Sequence, residues 1–226
     1  MKAEPIVAID GPSGSGKGTV SRAVARALGW ALLDSGALYR LVALAARQAG
    51  VALDDADRLA EIAKTFDIRF GAPEDGEEAI WLAGQDVTRL IRTESAGSDA
   101  SRVAAIGSVR AALLQRQRAF AGPGGLVADG RDMGSIVFPG APVKIYLTAS
   151  AEERAARRHK QLKEKGVTAN LAALSLEIAE RDRRDINRAV APLVASPDAV
   201  SIDTTGMPVE AVVQRILAIV RERLLI

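Results

Sequence analysis

The chain has 226 residues, 48% of them hydrophobic, enough to bury a real core in one or two ordinary domains. With no cysteine and a single histidine, His159, thiol chemistry, disulfide stapling and cysteine or multi-histidine zinc sites are excluded. Thirty basic against 28 acidic side chains leave a net charge of +2, too balanced for a general nucleic-acid or membrane-surface coat, so any catalysis must run on carboxylates, hydroxyls, Lys, Arg, backbone amides or a borrowed ion.

Met1 to Pro5 holds no apolar core of signal-peptide length, and no window approaches the roughly 18 apolar residues of a membrane span. The expectation is a cytoplasmic protein. The apolar run Ile6 to Ile9 reads as a buried strand ending at Asp10. It is followed at once by Gly11-Pro12-Ser13-Gly14-Ser15-Gly16-Lys17-Gly18-Thr19 and then by a helical pattern. This is the place and composition of a phosphate-binding loop: glycines let backbone N–H groups turn inward, the helix start adds its unpaired amides, and Lys17 adds a full charge. Gly18 stands where a Ser or Thr would hold Mg²⁺, with Thr19 one residue later, so direct metal ligation by the loop is not expected.

Trp30 to Leu33 reads as a second strand, running through Asp34-Ser35-Gly36-Ala37-Leu38-Tyr39-Arg40 into a helix with Arg40 about one turn inside. From Phe66 to Val87 the βα rhythm breaks. Phe66, Ile68 and Phe70, then Ala79 to Leu82, then Gln85 to Val87, separated by Gly71 to Gly76 and by Ala83-Gly84, predict a small antiparallel meander, either a substrate-closing subdomain or a mere decoration.

Leu126 to Ala128 is the third sheet strand, followed by Asp129-Gly130-Arg131-Asp132. Asp129 at a strand's carboxyl edge is placed either to orient hydrated Mg²⁺ or to cap a turn. Val143 to Leu147 and Val200 to Ile202 complete five strands. Such runs, buried on both faces and alternating with helices, predict an α/β fold with a five-stranded parallel sheet and helices on both faces. Ser150 and Glu153 form a capping box for a helix to Lys165, stopped at Gly166. Pro192 limits the helix before it. In the last helix Val209, Val212, Val213, Ile216, Leu217 and Val220 make one apolar stripe that should pack on the sheet.

Arginine outnumbers lysine 23 to seven. Arg154, Arg157 and Arg158 share one helix face. Arg181, Arg184, Asp185 and Arg188 share another, Asp185 either pairing with Arg181 or accepting from a ribose hydroxyl. Concentrated like charge favours an anionic ligand over a solvated face. A phosphate loop by itself leaves nucleotide switching and phosphoryl transfer open, but no Asn-Lys-x-Asp guanine-reading motif is present, and the arginines favour a second anionic substrate. A kinase for another acceptor and an ATP-dependent regulatory module remain the alternatives.

Taken together, DGPSGSGKGT (Asp10 to Thr19), LDSGALYR (Leu33 to Arg40), IRT (Ile91 to Thr93), VRAALLQRQRAF (Val109 to Phe120), DGRDMG (Asp129 to Gly134), FPGAPVKIY (Phe138 to Tyr146) and ERDRRDINRAVAPL (Glu180 to Leu193) resemble the bacterial cytidylate kinases over nearly the whole chain. The resemblance implies a P-loop nucleoside monophosphate kinase with a core of residues 1–35, 105–150 and 190–226. A monophosphate-binding region would span 36–104, with its β insertion at about 66–90, and a helical lid about 151–170.

It further implies ATP phosphates on Gly11, Pro12, Ser13, Gly14, Ser15, Gly16, Lys17, Gly18 and Thr19, and cytosine read by Ser101, Arg110 and Asp132. Phosphates would be held by Arg40, Arg131 and Arg188. Arg181 and Asp185 would face the sugar, with Ser35 and Tyr39 at the monophosphate site and the lid arginines Arg157 and Arg158 on the transferring phosphates. Mg²⁺ is the expected cofactor, with Asp129 its protein contact, directly or through water. The implied partners are ATP, CMP and dCMP, with no nucleic acid and no membrane, and the implied state is a monomer. His159 is expected to be solvated.

Overall fold

A computed structural model describes residues 5–71, 79–164, 166 and 168–225. They belong to two units, Met1–Asp34 with Gln117–Ile226, and Ser35–Arg116. The first opens with β1 (Ile6–Asp10), whose five residues are all buried, then α1 (Lys17–Leu28) and β2 (Ala31–Asp34). Gly29 ends α1 in the left-handed conformation, φ 69°, and its N–H is donated back to the carbonyls of Ala25 and Arg26.

The second unit begins with α2 (Ser35–Gln48), α3 (Ala56–Thr65) and the strands β3 (Ile68–Gly71), β4 (Ala79–Leu82) and β5 (Gln85–Asp86). The strands pair antiparallel in the order β3-β4-β5, the meander its alternation predicted. Ala83 and Gly84 both have positive φ, 49° and 77°, as a two-residue hairpin turn requires. Of the other expected turn, Gly71 to Gly76, everything after Gly71 lies outside the described residues. Then come α4 (Glu94–Val103) and α5 (Gly107–Arg118). Leu38, Leu41 and Val42 of α2 are fully buried, α2 packs on α4, and an Arg47–Asp99 ion pair of 2.6 Å joins the same two helices.

The chain returns to the first unit with β6 (Leu126–Gly130), β7 (Val143–Thr148), α6 (Ala151–Glu164), α7 (Leu171–Ile186), β8 (Val200–Asp203) and α8 (Val209–Leu224). All five sheet strands run parallel in the order β2-β6-β1-β7-β8. Burial on both faces holds for the central strands, whereas β2 and β8, the sheet's edges, are only partly buried. On one face Val7, Ile9, Val127 and Ile145 pack against Val20 and Val24 of α1 and Val212, Ile216 and Val220 of α8. Val209, expected in that stripe, is 38% exposed because it opens the first turn. Within this unit, β1 and β6 also carry a single wide helical turn, Met133–Val137.

Two helix ends refine the expectations. Ser150 Oγ accepts from Glu153 N–H at 3.2 Å, half of a capping box. The other half is missing because the Glu153 carboxylate takes Arg157 Nε instead, at 2.9 Å, while Ser150 N–H is donated to Thr205 Oγ1. Helix α6 is described to Glu164; Lys165, its expected last residue, lies outside the described residues.

Candidate active site

The carboxyl ends of β1, β6 and β7 lie side by side, where parallel sheets keep their ligands. The glycine loop leaves β1 there, passing so close to β7 that a Cβ on Gly11 would stand 2.0 Å from the Leu147 carbonyl oxygen. Only glycine fits. Gly16 caps α1 in the left-handed conformation with no side-chain cap, so the helix's first amides stay available to an anion. Lys17 is buried and donates from Nζ to the Pro12 carbonyl at 2.8 Å. Burial, then the positive field of Arg131, lowers its pKa from 10.5 to about 7, with Arg181 adding to the effect and Asp129 and Asp10 opposing it.

Two strand-end acids flank Lys17. Asp10, which carried no assigned role in the sequence, accepts from the N–H groups of Met133 and Gly134, both at 2.8 Å, and so anchors the turn that follows Arg131 and Asp132. Burial outweighs those hydrogen bonds and raises its pKa to about 6. Asp129 is raised to about 6 as well, by burial first, with Lys17 opposing and Asp34 reinforcing; Asp34 is its register partner across β2 and β6. A Cβ on Gly18 would point at the Asp129 carboxylate, 3.4 Å away. The missing Ser or Thr side chain at position 18 thus leaves its room to a carboxylate. Thr19 is exposed and Asp132 is buried.

Within this unit two of the expected phosphate holders, Arg131 and Arg188, meet on one carboxylate. Asp185 of α7 accepts from Arg131 Nε at 3.0 Å and from Arg188 Nη2. Burial pushes the Asp185 carboxyl up, but Arg131, Arg188 and Arg181 together hold it below the usual carboxylate range. Asp185 therefore pairs with Arg131 and Arg188, at 54 and three residues' separation, with Arg181, the local partner the sequence offered, also acting on it. The three arginines of α6 diverge. Arg154 is buried against the glycine loop. Arg157 donates to Thr204 Oγ1 at 3.0 Å and to the Thr204 carbonyl at 2.6 Å, its Nη1 standing 3.7 Å from the Cβ position of Gly16. Arg158 donates to Gln161 Oε1. His159 is half-buried and, with Lys163 and Thr168, lines an open depression of the surface.

The remaining predicted residues sit in the second unit. Ser35 opens α2 and is buried, as are Tyr39 and, on α4, Ser101. Arg110 lies with its guanidinium carbon 5.6 Å from the Tyr39 ring centre and donates to the Ala104 carbonyl at 3.3 Å. Arg40 donates to the carbonyls of Ile91 and Thr93. The Ile91–Thr93 motif therefore receives Arg40 and caps α4, Thr93 Oγ1 accepting from Ala96 N–H at 3.2 Å. Asp182 was not singled out in the sequence either: it pairs with Arg154 at 2.7 Å.

The family model described as Cytidylate kinase matches residues 7–222 of the 226. The chain belongs to the cytidylate kinase family. It is 57% identical over 224 residues to the cytidylate kinase of Stutzerimonas stutzeri (strain A1501), covering 99% of this chain and 98% of that one. It is 56% identical over 225 residues to that of Azotobacter vinelandii (strain DJ / ATCC BAA-1303), with coverage of 99% and 98%. Among solved structures, a gluconokinase from Sinorhizobium meliloti 1021 aligns with a TM-score of 0.50 at 18% identity over 97% of this chain and 93% of that one, a likeness of fold alone. No helix among the described residues is long and apolar enough to cross a membrane, and no group of three or more His, Cys, Asp or Glu residues among them could hold a metal ion.

For a cytidylate kinase the state of Lys17 has a measurable consequence. Its depressed pKa means that near pH 8 the free site holds Lys17 mostly neutral, whereas a bound polyphosphate favours the charged form. ATP binding should therefore take up a proton between about pH 7 and 9, the uptake fading below pH 7 where Lys17 is already charged. Calorimetric titration with ATP in buffers of different ionisation enthalpy reads the proton count; zero uptake at pH 8 would contradict the assignment.

Proposed function

We infer that the chain transfers the γ-phosphoryl group of ATP to CMP or dCMP, giving ADP and CDP or dCDP. The observation that carries this reading is the gathering, around one glycine loop, of buried Lys17 with Arg131 and Arg181, the former tied through Asp185 to Arg188. The attacking phosphate oxygen is already an anion, so no general base is required. Catalysis is alignment, charge neutralisation and exclusion of water.

The loop Gly11–Thr19 is assigned to the ATP phosphates, bound mainly by backbone N–H groups with Lys17 adding charge. Arg131 and Arg188 are assigned to the acceptor phosphate, held in orientation by Asp185, whose carboxylate both engage. Arg40 is a further phosphate holder and would exchange its two carbonyl partners for phosphate oxygens. Arg181 and Asp185 are assigned to the sugar side, and Ser35 and Tyr39 to the monophosphate. For the base, Asp132 accepts from the exocyclic amino group of cytosine while Ser101 and Arg110 donate to its acceptors; uracil reverses the first contact. Arg157 and Arg158 belong to a lid of about residues 151–170, and residues 36–104 to a monophosphate-binding region. A lid excludes the water that would otherwise hydrolyse ATP.

The donor set suits Mg²⁺. Asp129 and Asp34 are register partners at the carboxyl ends of β6 and β2, Asp34 acts on the Asp129 carboxyl and Asp129 acts on Lys17, and carboxylates with phosphates and water are the usual company of that ion. Asp129, directly or through water, would hold the ion, which would supply positive charge to offset that of the phosphates. The protein is proposed to act as a cytoplasmic monomer.

Incubating the enzyme with ATP, Mg²⁺ and a panel of nucleoside monophosphates tests the reading. ADP should appear with CMP and dCMP and far less with UMP, AMP or GMP. Asp132→Ala should lower the CMP-over-UMP preference about tenfold or more, the worth of a hydrogen bond to a charged acceptor. ADP release independent of any monophosphate would point to a regulatory ATPase instead.

A further inference from the structure

Arg154 stands in the first turn of α6, on the face it shares with Arg157 and Arg158, and its donors are turned to the protein. Nε donates to the Ala149 carbonyl at 3.1 Å, Nη1 to the Ser13 carbonyl at 3.0 Å, and Nη2 pairs with Asp182 at 2.7 Å. The guanidinium is buried, and the Cβ position of Gly14 lies 3.0 Å from Arg154 Cβ, so the helix is seated directly on the loop.

The bond to Ser13 has a consequence for the amide beyond it. In a planar trans peptide C=O and N–H point in opposite directions. A Ser13 carbonyl held on Arg154 turns the Gly14 N–H away from Arg154, toward the side of the loop where an anion is bound. Thr204 also approaches the next carbonyl but one, its hydroxyl proton shared between the carbonyls of Thr148 at 3.0 Å and Ser15 at 3.3 Å, while Arg157 grips Thr204. Asp182 in turn precedes Asp185 by three residues and shares its face of α7. One acid on that face holds the arginine under the loop; the other holds Arg131 and Arg188.

We propose that Arg154 is a positioning residue for the nucleotide loop, orienting the Ser13–Gly14 peptide for phosphate, and that Asp182 fixes Arg154 in that role. Helix α7 then supports the donor and acceptor phosphate sites from adjacent turns. The proposal rests on the reading of Gly11–Thr19 as the ATP-phosphate site.

Asp182→Asn keeps shape and removes charge. Arg154→Lys keeps charge and removes the fork that reaches both partners at once. Each should raise KM for ATP and weaken the ATP-induced rise in melting temperature, measured from each variant's own free melting point, by about tenfold in apparent affinity, the worth of one charged hydrogen bond, beyond any lowering of the free melting point that loss of a buried pair brings. Because both changes break one chain of contacts, the double variant should be no worse than Arg154→Lys alone. ATP affinity within twofold of wild type, multiplying effects in the double variant, or a loss seen only as lower melting of the free protein would overturn the proposal. The ATP-induced melting shift is read without any monophosphate, so absence of CMP turnover would sink the proposed reaction while leaving this result to be judged by itself.

Discussion

Lys17→Met should lower kcat/KM by about 10² to 10³, the usual cost of removing one preorganised group that stabilises charge in a transition state. The backbone amides of the loop and of the α1 start remain, so ATP still binds and the larger part of the loss should fall on kcat. The same substitution should raise the melting temperature of the free protein. Lys17 is buried beside Arg131 and Arg181, and its pKa falls from 10.5 to about 7. Between those values the unfolded chain holds a proton that the fold does not, so stability rises as pH climbs through that window and the charged lysine is a cost at neutral pH. A site that is strained when empty and relieved by its ligand predicts opposite movements in activity and stability. Kinetics and thermal melting on one preparation check both, and a variant with tenfold or better retained kcat would remove Lys17 from the mechanism.

Asp185→Ala should be the most destabilising single change in the site, by about 3–5 kcal/mol, the cost of leaving buried charges without their partner. Arg131 and Arg188 both donate to this carboxylate, whose side chain is 1% exposed. At about 2–4 °C per kcal/mol for a chain of this size, the melting temperature should fall by about 6–20 °C. Adding Arg188→Met should recover part of the loss, since it removes one of the stranded charges. The pH dependence follows from the same pairings. Despite burial, the arginines hold the Asp185 carboxyl below 3.8, so its stabilisation is complete above that value and is lost as pH falls through the lower folded value. Wild type should therefore lose this advantage over Asp185→Ala only in strong acid. A drop below about 1 kcal/mol would mean that the cluster behaves as a solvated surface network.

The glycine loop, the five strands, the β meander and the α8 stripe were legible in the sequence because each is written in neighbours. A strand needs a run of apolar residues, a loop needs glycine where the chain passes within van der Waals distance of β7, and a helix stripe needs a period of 3.6. The cytosine-reading and phosphate-holding assignments came from whole-chain resemblance, since no local pattern separates Ser101 or Arg110 from ordinary helix-surface residues. Asp10 lay within a recognised motif but showed no role, because the amides it holds are 123 and 124 residues away. Asp182 sat unremarked among arginines for the same reason: its partner belongs to another helix.

What composition and order determined without help is the chemistry on offer: no thiol, one imidazole, a phosphate loop, and guanidinium groups clustered on two helix faces. Which arginine does what was decided by the tertiary structure. On α6, three arginines of one stripe end on a loop carbonyl, a threonine and a glutamine, and on α7 one carboxylate takes an arginine 54 residues distant. Helical spacing sets only which side chains share a face. A guanidinium pairs with whatever acceptor the packing of distant elements brings within about 3 Å in a site emptied of water, and that distance is a property of the folded chain.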